Sequence, residues 1–145
     1  MLKLILFLLS FSFTAPLILE AKRILFIGNS YTSQCSDTIT KLFKNESPDW
    51  KLTFHTTGGK DLAYHLAEPA TEKLIRSQKW DFVILQEQSQ KSGLGGKNSQ
   101  GFHDAVASFS KIIRDTGSTP CLYLTWGRKA GDKKNPKIYP NYQAM

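Results

Sequence analysis

Apolar residues gather in four short runs, and the stretches between them keep helical spacing. Ile24–Gly28, Leu52–Thr56, Phe82–Leu85 and Pro120–Thr125 read as strands. Ser33–Asn45 reads as a helix with Ile39, Leu42 and Phe43 on one face. Leu62, Leu66, Ala70, Leu74 and Ile75 fit one or two helices, with Pro69 marking a break or a fresh start. Phe102, Ala105, Val106, Phe109, Ile112 and Ile113 keep helical spacing up to Gly117. Gly58-Gly59 forces a turn, and Gly93-Leu94-Gly95-Gly96-Lys97 reads as a flexible loop. Phe82–Leu85 has no polar alternation, as suits a central parallel strand. Strand alternating with helix predicts one parallel sheet with right-handed crossovers and helices on both faces.

The first strand ends in Ile27-Gly28-Asn29-Ser30-Tyr31-Thr32. An apolar run that stops at a glycine and a serine, then turns helical, brings a hydroxyl to the carboxyl edge of the sheet. Open α/β sheets place their ligand sites there. A serine at a helix N-terminus also sits among N–H groups that favour developing negative charge. Ser30 is therefore either a nucleophile or an N-cap of the following helix.

The other strands end in polar or glycine residues as well: Thr57-Gly58-Gly59, Gln86-Glu87-Gln88-Ser89 and Thr125-Trp126-Gly127-Arg128. A parallel sheet would bring all four ends to one edge. A nucleophile needs donors aimed at the oxyanion it creates, and a glycine N–H and a side-chain amide can supply them.

The N-terminus changes the cellular context. Met1-Leu2-Lys3 is followed by an apolar stretch through Phe13, with Ala15, Leu17, Ile18 and Leu19 behind it. One lysine ahead of an apolar core of roughly 10–15 residues fits a secretory signal peptide and is short for a membrane span. Cleavage is expected after Ala21, with Ala15 as the alternative site; an uncleaved anchor is the competing reading. Residues 1–21 are assigned to the signal and 22–145 to one small domain, which is expected to be secreted or periplasmic.

Hydrophobic residues make up 41% and charged residues 21%, which fits a globular domain and not a disordered one. The formal net charge of +7 is unchanged by removing Lys3 and Glu20 with the signal. Much of it lies near the end, where Arg128, Lys129, Lys133, Lys134 and Lys137 stand against Asp132 alone. With no nucleic-acid motif beside it, this segment reads as a solvated loop, and no nucleic-acid partner is expected. Cys35 and Cys121 read as buried free thiols, because no CxxC or clustered Cys/His spacing is present. Neither a metal nor a cofactor is expected. Asn45-Glu46-Ser47 is a glycosylation sequon with meaning only in a eukaryotic secretory pathway.

These blocks together resemble the SGNH hydrolases, the GDSL esterase superfamily. Ile27–Thr32 resembles the family's first block, with Asn29 where aspartate is common. Gly58-Gly59-Lys60-Asp61-Leu62 resembles the glycine block, and Trp80-Asp81-Phe82-Val83-Ile84-Leu85-Gln86-Glu87-Gln88-Ser89 resembles the third block in a glutamine version. The resemblance covers Arg23 to Met145 and implies a flavodoxin-like three-layer α/β/α fold. It implies Ser30 as nucleophile, with the N–H groups of Ser30 and Gly59 and the amide of Gln86 as oxyanion hole. Gly58 and Gln88 are the register alternatives. The family's Asp-x-x-His block is absent: His55, His65 and His103 lack an aspartate three residues earlier and precede the fourth strand. The fold is accordingly expected to be incomplete at the C-terminus, with low or no activity, exposed apolar surface and a partner chain that completes it. Of the histidines present, His65 is the first to consider as a substitute base. The expected substrate is an O-acyl or acetyl ester, such as an acetylated carbohydrate. The alternative is a non-catalytic carbohydrate- or phosphate-binding module, with membrane contact only through the signal.

Overall fold

The computed structural model describes residues 21–144. The expected signal segment lies outside the described residues except for Ala21. Four strands, β1 (Arg23–Gly28), β2 (Lys51–Thr56), β3 (Phe82–Leu85) and β4 (Thr119–Leu122), form one sheet in the order β2-β1-β3-β4. Every pairing is parallel: Phe26 lies opposite Phe54 and Ile84, and Ile84 opposite Cys121. The helices are α1 (Ser30–Glu46), α2 (Leu62–Ala67), α3 (Pro69–Arg76) and α4 (Gly96–Asp115). The α/β architecture is the one expected.

Strand parity divides the core. Leu25, Ile27, Val83 and Leu85 point to one face and pack with Leu62 of α2, Ile75 of α3, and Ala105, Phe109 and Ile113 of α4. Trp80 closes the bottom of this cluster, and its backbone N–H donates to the Ser118 hydroxyl at 3.0 Å. The opposite face carries Ile24 and Phe26 and is covered by α1. Phe26 stacks on Phe54 at 4.7 Å, and Phe43 of α1 meets Trp50 at 5.4 Å. On α1 only Thr32 is fully buried, and Leu42 is exposed.

Several boundaries differ from the sequence reading. α1 starts at Ser30 and not Ser33, because Asn29 caps it by accepting from the Tyr31 N–H at 3.1 Å. Ser30 is thus the first helical residue, and Asn29 is the cap. The glycine stretch expected as a loop is partly ordered: a short 3₁₀ turn spans Lys91–Gly93, and α4 begins at Gly96. β4 stops at Leu122 and not Thr125. Its neighbour β3 ends at Leu85, whose carbonyl accepts the last ladder bond from the Tyr123 N–H at 2.9 Å. Pro69 opens α3 at its first turn, where a missing N–H costs nothing. Cys35 and Cys121 are free and half-buried.

The basic C-terminal segment is more than a solvated loop. Its lysines are exposed, but Asp132 and Tyr139 are buried. Asp132 accepts from the Asn135 side-chain amide at 2.6 Å and the Lys134 N–H at 3.1 Å. The Tyr139 hydroxyl donates to the Gln90 carbonyl at 3.2 Å, which holds the segment against the loop after β3. Among the described residues no helix is long and apolar enough to cross a membrane.

Candidate active site

The four strand ends do converge on one edge. After β1, the Gly28 carbonyl accepts from the Thr57 N–H at 3.0 Å, and the Asn29 side-chain amide donates to the Lys60 carbonyl at 2.8 Å. These two bonds lock the Thr57–Lys60 turn against the start of α1 and so place the glycine block beside Ser30. Gly59 has φ +71°, the left-handed region that favours glycine, and both Gly58 and Gly59 are exposed. From beyond β4, Trp126 reaches across to Tyr31, with ring centroids 4.9 Å apart. Ser89 from the end of β3 and Arg128 from beyond β4 flank the Tyr31 phenol. Together they lower its pKa, the Ser89 hydroxyl most, against a smaller upward push from burial. Ser89 Oγ is itself buried and makes no hydrogen bond of normal geometry. It is therefore a close neighbour of the phenol and not a well-formed partner.

Ser30 is half-buried at the first turn of α1. No described residue hydrogen-bonds its hydroxyl, and no described residue accepts from its N–H or from that of Gly59. The first turn of a helix leaves such N–H groups unpaired, and they can serve an anion.

Gln86 is not directed at Ser30. It is fully buried, and its Oε1 accepts from the Asn29 N–H at 3.0 Å and the Thr32 hydroxyl at 2.9 Å. Its Nε2 donates to the carbonyl of Glu87. Both ends of the amide are engaged, so Gln86 acts as an internal strut behind the Ser30 turn. Strand parity explains the orientation, since residues 82, 84 and 86 face α1. Gly28 leaves the room for it: a Cβ there would lie 2.7 Å from Gln86 Oε1. Gln88, the register alternative, is half-buried and uses only Oε1, which accepts from the Gln90 N–H at 2.9 Å. Its Nε2 donates to no described residue. Gln88 also lines a cavity of about 120 Å³ with Phe102, Leu122 and Thr125, a cavity that neither Ser30 nor Gly59 lines.

The sequence reading did not identify the acidic pair behind the glycine block. Asp61 caps α2 by accepting from the Tyr64 N–H at 2.8 Å and pairs with Lys91. Glu87 is buried, which raises its pKa, while the N–H groups of Gln88 and Leu62 donate to its carboxylate. The Asp61 cap was readable from its position before Leu62. The long-range partners had no sequence signal.

His65 is not placed to act as the base. It is fully buried, and its Nε2 lies 2.8 Å from the Gly28 carbonyl. A carbonyl only accepts, so Nε2 carries the proton and donates it to the end of β1. His55 Nε2 contacts the Thr71 hydroxyl at 2.9 Å, and His103 lies exposed on α4 beside Phe102. Among the described residues no histidine bonds Ser30.

No family model matches the chain, and no curated protein matches it in sequence. Among solved structures the chain is similar to a Bacteroides fragilis protein provisionally named an acylhydrolase. The two share 19% identity with a TM-score of 0.54, over 84% of this chain and 56% of that one. The likeness establishes the α/β fold. The chain spans little more than half the length of that structure.

Proposed function

We propose that the chain carries the nucleophile and oxyanion half of a secreted SGNH-type serine ester hydrolase acting on O-acyl or acetyl esters, such as acetylated carbohydrates. The observation that supports this best is the unbonded Ser30 hydroxyl at the carboxyl edge of β1, beside the unpaired N–H groups of Ser30 and Gly59. In this reading Ser30 Oγ attacks the acyl carbon, and the Ser30 and Gly59 N–H groups hold the oxygen that becomes negative. Gln88, through its unengaged amide, replaces Gln86 as the side-chain donor. The base comes from a segment or partner chain outside these residues. Without it, Ser30 is a weak nucleophile and the chain has low activity. The B. fragilis likeness favours hydrolase chemistry on this fold over a phosphate cradle.

The test is aryl acetate hydrolysis by the full chain with and without added imidazole, which can stand in for the missing base. A Ser30-dependent increment in imidazole, lost in Ser30→Ala, supports the reading. Joining the chain to a segment carrying Asp-x-x-His should raise the rate further. A second reading, a sugar-binding module, draws on the Tyr31–Trp126 ring pair at this edge. Carbohydrate binding with no Ser30-dependent turnover under any of these conditions would favour it.

A further inference from the structure

A second cluster lies behind the nucleophile turn, where β2, α2 and the start of α3 meet. His55, His65 and Glu68 each offer one ligand atom, and these atoms lie within 4.8 Å of one another. His55 Nε2 is 3.4 Å from Glu68 Oε2, and His65 Nδ1 is 3.9 Å from the same oxygen. Two ligands each about 2.1 Å from one tetrahedral ion lie roughly 3.4 Å apart, so small side-chain adjustments suffice for a shared centre.

The decisive atom is His65 Nδ1. Because His65 Nε2 donates to the Gly28 carbonyl at 2.8 Å, Nδ1 of the neutral ring carries a bare lone pair. The side chain is fully buried, and Nδ1 has no hydrogen-bond partner. A buried acceptor with no donor is costly, and a cation would satisfy it. A ligating histidine whose other ring N–H is held by a backbone carbonyl is the arrangement that orients the ring for a metal. The Thr71 hydroxyl donates to Glu68 Oε2 at 3.3 Å and lies 2.9 Å from His55 Nε2, so an ion would displace that contact and take the His55 tautomer with its proton on Nδ1. His55 and Glu68 are partly exposed, which gives an ion a path in and leaves a fourth position for water.

From this geometry we infer that His55, His65 and Glu68 form a site for one Zn²⁺ ion or a similar borderline divalent cation. Two imidazoles and one carboxylate suit zinc better than calcium or magnesium, which take oxygen ligands. The ion would fasten α2 and α3 to β2 and, through His65 and the Gly28 carbonyl, stiffen the turn that carries Ser30. The site stands independently of any chemistry at Ser30.

The test uses the full chain stripped with a chelator and titrated with Zn²⁺ by calorimetry, with Co²⁺ as a spectroscopic probe. One equivalent of Zn²⁺ should bind and raise the melting temperature, and bound Co²⁺ should give the intense visible bands of a four-coordinate ion. His55→Ala and Glu68→Gln should each lower Zn²⁺ affinity by at least about tenfold, the lower end of what losing even an outer-shell partner costs. His65 is left intact because it also ties Gly28. Absence of one-equivalent binding, a Co²⁺ spectrum without those bands, or less than that loss in either variant would overturn the inference. The Co²⁺ measurement on the unmodified chain decides the matter even if a variant fails to fold.

Discussion

The two halves of the sheet's carboxyl edge are built differently. On the β2–β1–β3 side the groups behind the Ser30 turn are densely bonded to one another. Asn29 caps α1 and ties down Lys60, Gln86 braces Asn29 and Thr32, and His65 holds Gly28. On the β4 side Leu122 and Leu124 are exposed, the latter at 93%, and Trp126 joins the site mainly through Tyr31. The Ser30 turn is over-determined by distant parts of the chain, whereas the flank facing it beyond β4 is loosely covered. Pre-organisation of this kind suits a site that must hold donors around a developing charge. On the proposed function, the open flank is where a base could approach Ser30.

The largest expected effect separates the two glutamines. Gln88→Ala should slow reaction at Ser30 by about 10²–10³-fold, as loss of one oxyanion donor does, with little change in melting temperature. Gln86→Ala should do the reverse in character. It strips partners from the Asn29 N–H and the Thr32 hydroxyl, at a cost of about 1–3 kcal/mol of stability for each group left unpaired. Denaturant melts and labelling rates on both variants measure this. Equal stability loss in the two would erase the distinction between strut and donor.

Gly28→Ala probes the tightest point of the ordered half. A Cβ would meet Gln86 Oε1 at 2.7 Å and Thr32 Oγ1 at 2.8 Å. The strut would have to shift, and a loss of about 1–3 kcal/mol is expected by denaturant unfolding. A neutral result would show that the packing behind Ser30 is slack.

A smaller, pH-dependent effect belongs to Glu87. Burial raises its pKa in the folded chain, so the folded state binds this proton more tightly than the unfolded one. Its charged form therefore costs stability at neutral pH. That cost fades as pH falls through the raised value and is gone below the ordinary glutamate range near about 4.3. Glu87→Gln should stabilise the protein relative to the parent near neutral pH and lose that advantage in acid. Melts across this range would show it, and an advantage that grows in acid would contradict the assignment.

The smallest effect is expected on the open side. Leu124→Ser should change stability by no more than about 0.5 kcal/mol, as for other exposed positions, while reducing self-association. A large destabilisation would mean that this flank is as tightly integrated as the other.

These contrasts also explain what the sequence revealed. Runs such as Ile24–Gly28 and Phe82–Leu85 are apolar on both faces, so the central strands and their parallel direction were readable. Convergence of the four strand ends followed from that direction. The end of β4 was not readable, because it depends on where β3 stops. Nor was the direction of Gln86: parity placed it toward α1, but only the space at Gly28 and the partners Asn29 and Thr32 make it a strut. The folding of the basic segment onto Gln90 through Tyr139 likewise rests on one long-range bond with no local signal.

The most direct measurement is the site of phosphonylation when the full chain reacts with a fluorophosphonate in the presence of imidazole. Peptide mass mapping should find one adduct, on Ser30, that disappears in Ser30→Ala. An adduct on Ser33 or Ser89, or none on Ser30, would contradict the claim that this turn presents a nucleophile.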